Sequence, residues 1–158
     1  MTDRFVVVPA SYVYLTRSAG ADTEVLLCLR QNTGYRDGYW AAGIAGHVER
    51  GEDAYAAARR EAVEELGVTD LDLTFVTTMS RTMYADPIDE RVDFFFTASS
   101  WRGEPTILEP RKNAEIRWCR LDDLPDPVVP HERVVLDAIR EGTVKPYLTF
   151  GFKEHDHG

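Results

Sequence analysis

At 158 residues, with 44% hydrophobic and 28% charged residues, the chain has the composition of a soluble folded domain and the length for one core rather than two. Its formal net charge of −9 repels nucleic acid polymers and anionic lipid, and no local basic run offsets that charge. No apolar stretch reaches the length of a membrane span, and MTDRFVVVPASYVYLTR lacks the basic n-region and unbroken apolar core of a secretory signal. A cytoplasmic setting is expected.

Residues 5 to 15 (FVVVPASYVYL) and 24 to 30 (EVLLCLR) are β-branched and apolar and read as a hairpin turning through SAGAD, with Pro9 marking a bend or the edge of the first strand. The loop QNTGYRDGYW follows; its glycines and three aromatics suit binding better than simple connection. Residues 54 to 66 contain no Gly or Pro and are rich in Ala, which predicts a helix. Asp53 is placed to cap its first turn and Gly67 to end it in a left-handed conformation. Tyr55, Ala58, Ala62 and Leu66 form its apolar stripe. Strands are expected over 71 to 82 and 91 to 99, joined by MYADPIDE, and again in IRWCRL after the loop WRGEPTILEPRKNAE. The proline-rich DDLPDPVVP then leads into a second helix, HERVVLDAIREG, with Val134, Val135, Ala138 and Ile139 apolar. Strands, helix, strands and a final helix give an α/β chain with a central mixed sheet. Cys28 and Cys119 fall inside strand-like runs and read as buried free thiols of a reducing compartment. His155 and His157 belong to a terminal tail with no catalytic role.

Glu61, Glu64 and Glu65 stand at i, i+3 and i+4 of the first helix. Three carboxylates on one face repel by a few tenths of a kcal/mol per pair, more when desolvated. A hard divalent cation such as Mg²⁺ or Mn²⁺ compensates such a cluster, and it characteristically bridges one or two carboxylates to substrate phosphates. Without further context an acidic helix face is simply solvated. Here it follows a loop containing Gly46, Gly51 and Glu52.

Gly46, Glu52, Arg60, Glu61, Glu64, Glu65 and Gly67 occupy every fixed position of the pattern G-x5-E-x7-R-E-U-x-E-E-x-G-U, with Ala62 and Val68 at the apolar positions U. The segment resembles the Nudix box of MutT-like hydrolases, complete over residues 46 to 68. Outside it, LLCLRQNTGYRDGYW and the pair WRGEP and EIRWCRLDDLP are similar to flanking segments of the family. One departure is the stretch Trp40-Ala-Ala-Gly-Ile-Ala-Gly46, which lacks a proline found in many nucleotide-pool members and is about one residue longer.

The resemblance implies one Nudix domain over residues 1 to 158, an α/β/α sandwich, and a metal-dependent hydrolase of a nucleoside diphosphate joined to another group. A (deoxy)nucleoside triphosphate is the first candidate substrate; a nucleotide sugar, a dinucleotide or a non-nucleotide diphosphate is the alternative. A non-catalytic nucleotide-binding regulator is the competing class, against which the complete acid set argues. Glu61, Glu64 and Glu65 are the implied metal ligands, with Mg²⁺ as cofactor and Mn²⁺ as substitute. Glu109, at a position similar to the family's late-loop acid, is a candidate ligand or general base, with Glu104 and Glu115 as competitors. Arg60 is expected to orient Glu52 rather than touch substrate. Tyr35, Tyr39, Trp40, Phe94 and Phe96 are candidate stacking residues, and Arg30, Arg81 and Lys112 candidate phosphate contacts. The expected partner is a small nucleotide or diphosphate, with homodimerisation left open, and neither a nucleic acid polymer nor a membrane.

Overall fold

The computed structural model describes residues 3–153, so His155 and His157 lie outside the described residues. The N-terminal apolar run forms β1 (Val8–Ala19), which pairs antiparallel with β2 (Asp22–Arg30) across a two-residue turn at Gly20 and Ala21. The strand runs on past the apolar residues because Thr16 to Ala19 pair with Asp22 to Val25. Pro9 is not a bend. It is the second residue of the paired strand, beside Val92 and near the strand's start, and its carbonyl accepts the Val48 N–H at 2.9 Å.

One eight-stranded mixed sheet results. Its path runs through β3 (Trp40–Ala42), β2, β1, β6 (Arg91–Ala98), β5 (Leu73–Arg81) and β8 (Tyr147–Phe150). β4 (Ile44–His47) pairs with β1, and β7 (Asn113–Arg120) with β2. The β1–β6 and β5–β8 contacts are parallel and the rest antiparallel. The short strands β3, β4 and β8 escape a pattern reading because three or four residues cannot display a period of two.

Alternation along β1 divides the core. Tyr12 and Tyr14 pack with Leu27, Met79 and Phe95 beneath α2 (Pro130–Glu141), whereas Val13 and Leu15 pack with Ile44 and Phe96 beneath α1 (Ala54–Leu66). This is the expected sandwich of two helices about a mixed sheet. Ala57, Ala58 and Ala62 are fully buried on α1, and such small side chains bring its backbone close to β1 and β4. Asp53 caps the helix by accepting the Ala56 N–H at 2.8 Å, and Gly67 ends it at φ 68°. Tyr55 departs from the expected stripe: it is 45% exposed and leans on Phe96, while Ala57 takes its place in the core.

The proline-rich turn before α2 is anchored to β3 from both sides, Trp40 N donating to Pro127 O and Val129 N to Trp40 O. That clamp sets the first turn of α2 over β1. His131 and Glu132 are consequently buried, and of the apolar residues of the helix Val134 is 40% exposed while Val135 is buried. Both cysteines are buried and free, and burial pushes the Cys28 thiol up to about 12 and that of Cys119 to about 11. Among the described residues no helix is long and apolar enough to cross a membrane.

Candidate functional site

The glutamates of α1 meet the sheet at β4. Gly46 faces Ser11 in the β1–β4 register, and a methyl group on it would overlap the Glu61 carboxylate. The glycine is thus the cradle of that side chain, which is only 12% exposed. Arg60 sits at the centre of the acids. Its Nη2 donates to Glu52 Oε1 at 2.7 Å and to the His47 carbonyl at 2.9 Å, and its Nε donates to Glu52 Oε2 at 3.2 Å. Nη1 donates to Glu61 Oε1 at 2.8 Å and to Glu64 Oε2 at 3.2 Å. The hydrogen bonds from Arg60 hold Glu52 below the usual carboxylate range. The pairing of Arg60 with Glu52 expected from sequence is therefore present, joined by contacts to two of the three helix acids.

Glu65 turns the other way. Its Oε2 accepts the Ala45 N–H at 3.3 Å, and burial, followed by the Glu61 charge, pushes its carboxyl up to about 9. Burial also raises Glu61, against the pull of Arg60. Glu64 is 52% exposed. The helix acids are thus divided between Arg60 and Ala45, and among the described residues no three His, Cys, Asp or Glu side chains already converge as a ligand cluster. The donor set nonetheless fits a hard divalent cation: it is all carboxylate, two members are buried against each other, and Gly46 leaves room for the carboxylate beside it.

A polar cleft of about 410 Å³ opens beside Glu65. Glu109 and Lys112 line it from the loop between β6 and β7 and Asn113 from the start of β7, while Arg30, Thr33 and His47 line it from other elements. Two backbone bonds fasten that loop to the end of α1: Leu108 N donates to Glu65 O and Thr106 N to Leu66 O. Glu109 is therefore tethered next to Glu65 although the two are 44 positions apart in sequence. Glu104 and Glu115 do not line this cleft. Glu115 sits on β7 and pairs with Arg117 at 3.3 Å.

The other sequence candidates scatter. Arg30 lines the cleft, its Nε held by the Tyr35 carbonyl at 3.0 Å and its Nη2 by Thr33 Oγ1 at 3.1 Å. Trp40 is 5% exposed and packed in the core with the Arg117 guanidinium 4.5 Å from its ring centroid. Phe94 and Phe96 face the α1 side of the sheet around an apolar surface shared with Tyr55 and Phe75. Tyr39 stacks under Arg36, away from the cleft lining. His47, which lines the cleft, escapes the sequence reading; it follows Gly46 directly, so its place inside the box, at a position the pattern leaves free, was the available signal.

A NUDIX domain model matches residues 7–139. The NAD-capped RNA hydrolase NudC of Escherichia coli is similar to the chain at 32% identity over 123 residues, 78% of this chain and 44% of NudC. The chain therefore spans less than half the length of that relative. The MutT NUDIX hydrolase of Burkholderia pseudomallei is similar in structure, with a TM-score of 0.66 at 28% identity, covering 80% of this chain and 96% of that one. The NUDIX domain of NrtR from Shewanella oneidensis, solved in complex with ADP ribose, has a TM-score of 0.69 at 18% identity, covers 87% and 88% of the two chains, and shares the fold.

Proposed function

The chain belongs to the NUDIX domain family, and from that premise we propose that it is a divalent-metal-dependent hydrolase of the phosphoanhydride in nucleoside diphosphate compounds, with a (deoxy)nucleoside triphosphate as its substrate. The observation that carries the reading is the meeting of Glu65, from α1, with Glu109, from a distant loop, on one polar cleft beside the Gly46 cradle. A protein that only bound nucleotides would have no use for two adjacent carboxylates, Glu61 and Glu65, held raised by burial.

Glu61, Glu64, Glu65 and Glu109 would hold Mg²⁺, or Mn²⁺ in its place. When bound, such an ion offsets phosphate charge, orients the diphosphate and acidifies the attacking water. The chain's own residues do the rest. Arg60 holds Glu61 and Glu52 in position, with Glu52 acting only through that pairing. Glu109 supplies either a further ligand or the general base, since it lines the cleft beside Glu65 and pairs with Lys112 Nζ only at 3.9 Å. Lys112 and Arg30, which line the cleft, attract the phosphates. Residues 1 to 158 act as one domain in a reducing, cytoplasmic setting that keeps Cys28 and Cys119 as thiols.

The test is a screen of nucleoside triphosphates, dinucleotides, nucleotide sugars and non-nucleotide diphosphates with Mg²⁺, following phosphate and pyrophosphate release. Triphosphates are expected to be turned over with release of pyrophosphate. Binding of a nucleotide with no turnover of any compound would move the protein to the regulator class.

A further inference from the structure

Beyond the wall formed by Arg30, Ala45 and His47 lies a second cavity, of about 330 Å³, which shares those three residues with the acidic cleft. Three guanidiniums line it from three strands: Arg30 of β2, Arg81 of β5 and Arg91 of β6. In a chain of net charge −9, such a convergence is not a sample of the general surface.

The donors on this wall outnumber the acceptors given to them. Arg81 is 5% exposed; Asp93 Oδ2 accepts its Nε at 2.8 Å and Tyr12 Oη its Nη2 at 3.4 Å, which leaves Nη1 without a protein acceptor. Arg30 has likewise committed Nε and Nη2 and not Nη1. Arg91 hydrogen-bonds only the Ile88 carbonyl, through Nη1 at 3.4 Å, and its buried Nε has no hydrogen-bond acceptor, only an ion pair with Asp93. Asp93 Oδ1, 3.9 Å from that Nε, likewise accepts no hydrogen bond, and Asp93 lies behind the cavity wall rather than on it. The carboxylates that do are the half-buried Asp89 and the buried Glu132, whose Oε1 is taken by Tyr14 Oη and Ala42 N. The imidazoles on the wall, His47 and His131, are both held toward their neutral forms by burial. A guanidinium offers a planar fork of donors matched to phosphate oxygens, and three with open positions around one cavity call for a multiply charged oxyanion.

We propose that this cavity is an anion subsite that takes a phosphate carried by the substrate beyond the diphosphate held in the acidic cleft. The preferred substrates are then diphosphate compounds bearing at least one further phosphate, the nucleoside triphosphates being the simplest. Compounds whose second substituent is an uncharged sugar or nucleoside are poor substrates. The inference rests on the hydrolase reading above and narrows it.

Two measurements separate the inference from that reading. Inorganic pyrophosphate, titrated calorimetrically into the metal-free full chain, is expected to bind with a Kd at least about tenfold weaker in Arg91→Met than in the wild type, the scale of one charge-assisted bond. Arg91→Lys keeps an intermediate affinity and Arg102→Met, an exposed arginine that lines neither cavity, keeps the wild-type value. In the second measurement the ratio of kcat/KM for ATP to that for ADP-ribose exceeds ten in the wild type with Mg²⁺ and falls about tenfold in Arg91→Met. Arg30→Met serves as a second variant should loss of Arg91 disturb β6. Pyrophosphate binding indifferent to both arginines, or a wild type that favours ADP-ribose, overturns the subsite even if hydrolysis is intact. Absence of all hydrolysis with arginine-dependent pyrophosphate binding retained overturns the hydrolase reading and leaves the subsite standing.

Discussion

Glu132 should make the protein less stable as pH rises, and its amide should abolish the effect. The carboxyl is fully buried in the first turn of α2; burial pushes it up to about 7 from an ordinary 4.5, against the hydrogen bonds from Tyr14 and Ala42. A carboxyl raised on folding binds its proton more tightly in the folded state than in the unfolded one. Its stability contribution is therefore complete below about pH 4.5, declines as pH rises and levels off above about 7. The shift of about 2.5 units between those two values, at 1.36 kcal/mol per unit, comes to about 3 kcal/mol at pH 8 and about 1 kcal/mol at pH 5. Glu132→Gln keeps an oxygen to accept from Tyr14 Oη, 2.7 Å away, and from Ala42 N, 2.8 Å away, and turns its NH₂ toward the open cavity. At roughly 2–4 °C per kcal/mol for a chain of this size, the variant should melt about 6–12 °C above the wild type at pH 8 and only about 2–4 °C above it at pH 5. Thermal melts of the metal-free proteins at the two pH values decide the matter. A gain equal at both, or a variant less stable than wild type at pH 8, would refute the assignment of Glu132 as an ionisable strain in the core.

Hydrolysis should depend on divalent metal and rise toward mildly alkaline pH, where an ionised base and acidified water coexist; full activity after exhaustive chelation would sink the mechanism. Glu64→Gln and Glu65→Gln should each lower kcat by roughly two to four orders of magnitude while the fold persists, as measured by single-substrate kinetics beside circular dichroism. Glu109→Gln should depress kcat strongly and leave KM within a few fold, with Glu104→Gln and Glu115→Gln mild; the reverse ranking would move the base to whichever glutamate proved sensitive.

Local signals in the sequence were faithful where one segment carries its own cause. The box helix begins at Asp53 and ends at Gly67 because a side-chain acceptor and a left-handed glycine set those limits without help from the rest of the chain. Glu109 is a different case: its position resembles a family acid, but its neighbourhood depends on the Leu108–Glu65 and Thr106–Leu66 bonds, which link segments far apart in sequence. Tyr55 differs from its expected place on the apolar stripe for a related reason. Helical spacing puts it beside that stripe, and only the position of the sheet beneath decides that Ala57 goes in instead.

The arginine cavity lay further from view because no segment contains more than a part of it. RVDFFF carries Arg91 and Asp93 on alternate positions of β6, which for a central strand is itself a signal, since an inward charge is tolerated there only with partners. Register supplies the first partner by setting Arg81 opposite Arg91 in the antiparallel β5–β6 pair, within reach of Asp93. The β1–β6 register sets Ala10 opposite Asp93, and Tyr12 of the same strand reaches Arg81 with its hydroxyl. The short turn clamped to β3 then brings His131 and Glu132 over the same spot. Each of these residues read alone is a strand polar or a helix-start acid of no evident use. Their convergence is a property of the topology, and it places a cluster of arginines one wall away from a cluster of glutamates, the charge separation that a polyphosphate bridged by metal at one end and left bare at the other would require.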